Sequence, residues 1–335
     1  MTAPFFIEGK VFLMETLRNS RTRRKLIAAG ITALTAASVL TGAQTARAQE
    51  TLTGLSTVGG SLNFLFNFNS NTSGTFTNFT QVTGLDNGFL LEDIDYRPTI
   101  TPGFKGVLYG LGKSTATGST NLRLYTIATN GAVLSSVALT AATGGANATA
   151  TPFANANYSI DFNPTANALR IVNDQGGNYR IGTANLVTGT TFTDFPLSLN
   201  GVLGAAYTNN FGGAGATTLY EVSYTNANDV LYLQSPPNNG TLAVVGTNLG
   251  VDLALGGFDI SGVTGNAYYG GGSNFYQINL GTGTATNLGS FNTGVGTVRG
   301  IAAQVGTAAP EPGSLALISM GLLGMVGGFA KRRRK

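Results

Sequence analysis

Cysteine, histidine and tryptophan are missing altogether from the 335 residues. Without cysteine the chain forms no disulfide and offers no thiolate as nucleophile or ligand. Without histidine it lacks the commonest general base and the commonest metal ligand. Without tryptophan it lacks the broadest aromatic platform for stacking on a sugar ring. Charge is scarce too, at 10% Asp, Glu, Lys and Arg, and helical periodicity is hard to find between the two ends. A hydrolytic enzyme with this inventory would rely on carboxylates, tyrosine or a metal. The expectation is therefore a non-enzyme, with a carboxylate- or cation-dependent hydrolase or lyase of extracellular polysaccharide as the alternative.

The two ends carry most of the positive charge. Arg21 to Lys25 form a basic segment, Leu26 to Leu40 an apolar alanine-rich run, and Ala46-Arg47-Ala48 an A-x-A site before Gln49. That order is a secretory signal, removed by signal peptidase after Sec export, with Met14 as a plausible start. At the other end Pro310-Glu311-Pro312 precede Leu315–Ala330, an uncharged stretch, and then Lys331-Arg332-Arg333-Arg334-Lys335. As a helix the stretch would extend about 24 Å, short of a ~30 Å hydrocarbon core unless the Lys331 stem snorkels. The basic cluster should stay cytoplasmic, leaving everything upstream outside. Gly324 and Gly328 have the spacing of a helix-contact motif, a weak signal in so glycine-rich a segment. With both ends set aside, seven basic and twelve acidic residues remain, a net of −5 for the exported part. The pI of 9.3 describes the ends. A nucleic-acid surface is excluded on that ground.

Pro310, Glu311 and Pro312, with the apolar stretch and basic cluster behind them, resemble the PEP-CTERM sorting signal. The resemblance implies recognition by an exosortase, a membrane cysteine protease. It also implies a Gram-negative-type envelope, transient anchoring in the inner membrane, display at the surface or in the matrix, and a link to exopolysaccharide. The expected organisation is a signal region over 1–48, one folded domain over 49–308 and the sorting signal over 309–335.

Between the ends, short runs of Val, Leu, Phe, Tyr and Thr alternate with Gly/Asn turns, the pattern of an all-β domain. An internal repeat narrows it. Asp93-Ile94-Asp95-Tyr96-Arg97-Pro98 resembles Ser159-Ile160-Asp161-Phe162-Asn163-Pro164, and Gly257-Phe258-Asp259-Ile260 echoes both. Each leads into a second strand (Val107, Asn167 and Ala267 onward), a third (Leu122–Ile127, Asn178–Ile181, Phe275–Leu280) and a fourth such as Val133–Leu139 or Ala285–Leu288. A weaker copy runs from Gly204 to Val245. Val298–Ala303 is a first strand with nothing after it, whereas Thr51–Val82 holds three strands without a first. Joined, they complete a fifth blade, so the expected fold is a β-propeller of five four-stranded blades closed by pairing of its terminal strands. Asp95–Pro98, Asp161–Pro164, Leu169–Arg180, Ala206–Asn209, Pro236–Leu242 and Val298–Gly300 together resemble an uncharacterised bacterial family, a domain of unknown function often joined to such tails. The resemblance supports the fold and carries no assigned chemistry.

Candidate sites follow from the same register. Asp95, Asp161 and Asp259 occupy one position of the first strands, with Ala206 and Ala302 in the other two blades. Facing the channel, the three carboxylates could hold a hard cation such as Ca²⁺. Alternatively, each accepts hydrogen bonds from its own following turn. Arg170, Asp174, Asn178 and Arg180 flank a glycine hairpin and could bind a carboxylate or sugar. The bland reading is a turn with an edge ion pair from one of the arginines to Asp174. Glu92 and Asp93, the adjacent acidic pair, could supply a glycosidase carboxylate, but a partner cannot be placed. Phe64, Phe66, Phe68, Phe76 and Phe79 are expected between blades, and Gly270-Gly271-Gly272 in a turn.

Overall fold

The computed structural model describes residues 49–98, 106–224, 229–303 and 305. The A-x-A site with Ala46 and Ala48, the Pro310–Pro312 motif, the apolar stretch and the cluster from Lys331 to Lys335 lie outside the described residues. Among the described residues no helix is long and apolar enough to cross a membrane.

Five antiparallel sheets make up the fold. Blade 1 holds β1 (Thr51–Val58), β2 (Leu62–Asn69) and β3 (Thr72–Gln81). Blade 2 holds β4 (Phe89–Arg97), β5 (Val107–Ser114), β6 (Leu122–Ile127) and β7 (Val133–Ala138). A short β8 (Thr140–Ala142) then leads to blade 3, made of β9 (Tyr158–Asn163), β10 (Ala168–Asn173), β11 (Asn178–Ile181) and β12 (Thr190–Thr193). Blade 4 holds β13 (Val202–Tyr207), β14 (Leu219–Ser223), β15 (Leu231–Gln234) and β16 (Leu242–Val245). Blade 5 holds β17 (Gly256–Ile260), β18 (Ala267–Gly271), β19 (Asn274–Ile278) and β20 (Ala285–Ser290). The last strand, β21 (Thr297–Ala303), pairs with β1 and is the innermost strand of blade 1. The inner strands β21, β4, β9, β13 and β17 each touch the next, and β17 touches β21 again, so the ring is closed.

Burial falls from axis to rim because the inner strands are enclosed by the neighbouring blades while the outer strands end each sheet. The inner strands β9, β13 and β17 are buried almost throughout. The outer strands β7, β16 and β20, without a charged residue, are largely exposed. Between blades the faces interdigitate. The Phe68 ring meets Phe275 and Phe291 edge-on at 5.0 and 5.1 Å, contacts that add about 0.5–1.5 kcal/mol each beyond burial. Phe66 reaches this cluster because its partner across the sheet is Gly54, where a Cβ would stand 2.2 Å from the ring.

Two details depart from the sequence reading. β8 adds in parallel to β12, giving blade 3 a fifth strand and covering its outer edge. Gly270 and Gly271 belong to β18, and the turn rests on Gly272 at φ +59°.

Candidate functional site

The inner edge of every blade faces the axis, so its backbone N–H groups have no sheet partner. Five of them, on Tyr96, Phe162, Tyr207, Ile260 and Ala303, stand one residue beyond the repeated register. Three carboxylates satisfy all five. Asp95 accepts from Tyr96 N at 2.6 Å and from Phe162 N of the next blade at 2.7 Å. Asp161 accepts from Tyr207 N at 3.0 Å. Asp259 accepts from Ile260 N at 2.6 Å and from Ala303 N at 2.5 Å. The blades that follow Ala206 and Ala302 are the two whose own aspartate also turns back to its own neighbour, which explains why two alanines are tolerated. One carboxylate oxygen remains: Asp161 Oδ2 is buried and has no hydrogen-bond partner.

The expected convergence of this triad is present, but its surroundings differ from both readings. The three residues do converge, with one oxygen of each within 4.8 Å of the others. They are wholly buried rather than lining a wet channel, and each spans to the next blade, Asp95 and Asp259 also holding the N–H of their own next residue. A hard cation fits poorly here. Ca²⁺ takes six to eight oxygens, and five of the six present already hold an amide proton. Burial, reinforced by the neighbouring carboxylates, pushes Asp95 and Asp161 well above the usual carboxylate range. Burial carries Asp259 up to about 7. The arrangement staples the inner strands of the ring, and its burial favours the protonated carboxyl over the carboxylate.

Asp93 repeats the device one tier away. Its oxygens accept from Ser159 Oγ (2.7 Å), Ile160 N (3.0 Å) and its own neighbour Ile94 N (2.9 Å), and burial pushes it up to about 7. Glu92 parts company with it. The register slips between Leu91 and Asp93, a bulge that turns Glu92 toward Arg299 at 2.9 Å and Lys113 at 3.6 Å.

The second constellation assembles across blade 3. Asp161, Arg170, Arg180 and Phe192 stand opposite one another on successive strands. Asp174 is not their partner: it holds Asn157 Nδ2 at 2.7 Å. The counter-ion is Asp194, fully buried, which accepts from Arg170 Nη1 at 2.8 Å and Arg180 Nε at 3.1 Å. Arg170, 4% exposed, also donates to Asn178 Oδ1 at 2.7 Å and Asn238 Oδ1 at 2.8 Å. Asn178 in turn donates to the carbonyls of Phe195 and Pro237. This is a buried charge network, not an edge pair. Asp194 and Asn238 escaped the sequence reading, although a buried arginine demands an acid and Asp194 is the sole one between Asp174 and Glu221.

Arg180 differs from Arg170. It is 31% exposed, its plane stands over Phe192, and its two terminal amino groups have no partner among the described residues. It opens onto a groove of about 490 Å³ lined also by Arg170, Tyr207, Pro237, Asn238 and Asn239. Two arginines against one aspartate leave the groove a net positive charge.

A family model described as a domain of unknown function (DUF4394) matches residues 64–302. A second, the PEP-CTERM protein-sorting motif, matches residues 308–335. No curated protein matches the sequence. Among solved structures, a protein of unknown function from Bacteroides caccae is similar at 13% identity and a TM-score of 0.43. The similarity covers 76% of this chain and 98% of that one.

Proposed function

Since the chain belongs to the DUF4394 family and ends in a PEP-CTERM motif that marks it for an exosortase-type protease, we propose that it is a non-catalytic propeller of the cell surface or matrix that binds carboxylate-bearing polysaccharide. In this reading residues 1–48 direct Sec export and are cut by signal peptidase, 49–308 form the binding domain, and 309–335 hold it in the inner membrane until the exosortase acts. The observation that carries the reading is Arg180. Asp194 fixes its Nε, so the planar fork is held in place with its free N–H groups toward the groove, the geometry that suits bidentate carboxylate recognition.

Affinity electrophoresis of the secreted protein through polygalacturonate and through neutral dextran tests it. Retardation by polygalacturonate alone is expected, weakened at least tenfold in Arg180→Ala, a loss of about 1.4 kcal/mol. Equal mobility in both gels, or retardation indifferent to the substitution, would overturn the reading.

A further inference from the structure

Beside the arginine groove lies a second, chemically different cavity, with Asn147 on its wall and the preceding Ala146 on the groove's. It measures about 220 Å³, and its walls include Asn147, Thr151, Asn173, Gln175, Tyr179 and Thr193. At ~30 Å³ per liquid water this is room for roughly seven waters, the scale of one sugar ring rather than an oligomer. Asn173, which lines it, pairs with Tyr158, whereas Ala168 of the arginine groove pairs with Asn163. The nearest lining residues on β10, Asn173 and Arg170, are three apart, about 10 Å along the strand.

No net charge reaches this cavity. Asp194 is its sole acid, and both oxygens are committed to Arg170, Arg180 and Ala146 N. What remains free is neutral and of both polarities. Asn173 is 1% exposed; its Oδ1 accepts from Gln175 N and Gly177 N, and its Nδ2 meets the Tyr158 hydroxyl. That nitrogen lies against Gly177, where a Cβ would come within 2.4 Å of it. Asn147 spends its oxygen on Thr149 N, keeping its amide donors. Gln175 spends its nitrogen on Asn155 O, keeping its oxygen as an acceptor.

We infer that this cavity is a binding site for a single uncharged pyranose, whose hydroxyls both donate and accept and so match free amide donors and a free acceptor. Tyr179 supplies an apolar wall. A protein with both sites would take a neutral ring in this cavity and an acidic chain in the neighbouring groove. The inference shares with the proposed function the reading that the ligand is a saccharide, while its free donors and acceptor come from Asn147 and Gln175, outside the groove's lining.

The test uses the secreted protein with the methyl glycosides of glucose, galactose and N-acetylglucosamine, read by saturation-transfer NMR. At least one should bind and show saturation on its ring protons. Asn147→Ala with Gln175→Ala should weaken it at least tenfold, as should Thr151→Trp, which fills the mouth from an exposed position. Thermal midpoints should be unchanged in both variants. Binding by none of the three sugars, or binding that survives both variants, overturns the inference. Absence of polygalacturonate retardation in the parent protein, with glycoside binding intact, would sink the groove reading alone.

Discussion

At the scale of single residues, Asp161 is the most informative position, because its Oδ2 is the one triad oxygen left without a donor. Burial raises Asp93, Asp95, Asp161 and Asp259, and raises Glu221 up to about 8, partly offset by Arg170. The sign follows from linkage. Between the unfolded carboxylate range near 4 and the raised folded values, the folded protein binds more protons, so stability falls as pH climbs through that window. The thermal midpoint is expected to be higher at pH 5 than at pH 8, and a midpoint that rises toward pH 8 would contradict the proton-retaining staple. Asp161→Asn keeps an oxygen for Tyr207 N while removing one charge and the unpartnered carboxylate oxygen. At pH 8 it should stabilise by about 1–3 kcal/mol, some 2–4 °C per kcal/mol for a domain this size, and flatten the pH slope. These aspartates were legible in the sequence as a register. Their partners were not, because the N–H each one meets belongs mostly to a strand 44 to 67 residues away.

Among the elements, β1 with β2 and the closing strand β21 show what the sequence could and could not carry. The three-strand start and the lone final strand each lacked what the other had, so closure was readable as a deficit. The bulge between Leu55 and Ser56 in the β1–β21 pairing was not, and neither was β8, three residues whose partner strand β12 lies some fifty residues on. Gly54 ties β1 to β2 through the Phe66 ring. Gly54→Ala is expected to cost about 1–3 kcal/mol by overpacking, measured by denaturant unfolding. Phe66→Leu in the same chain should recover part of the loss, and a Gly54→Ala variant as stable as the parent would refute the close approach. The network around Arg170 was half legible. Arg170, Asn178 and Arg180 announce a polar cluster, but Asp174, nearest in sequence, turns to Asn157, while Asp194 approaches from β12's far end.

For the whole molecule, closure comes before the sorting signal. β21 ends at Ala303 and the motif begins at Pro310, so cutting beside the motif removes no described strand from the ring. Mass spectrometry of the surface form should find a C-terminus near Pro310 on a folded propeller, and a mature chain retaining Lys335 would count against exosortase processing. The sequence by itself determined the sorting motif, the blade count and the positions of the three axial aspartates, because these are written in local order: motif, period and register. Tertiary structure alone decided which groups those residues meet. It gave each axial carboxylate a neighbouring blade's N–H, chose Asp194 over Asp174, and separated a charged groove from a neutral pocket within one blade. Pairing of that kind depends on distances between strands far apart in the chain, and no local pattern encodes it.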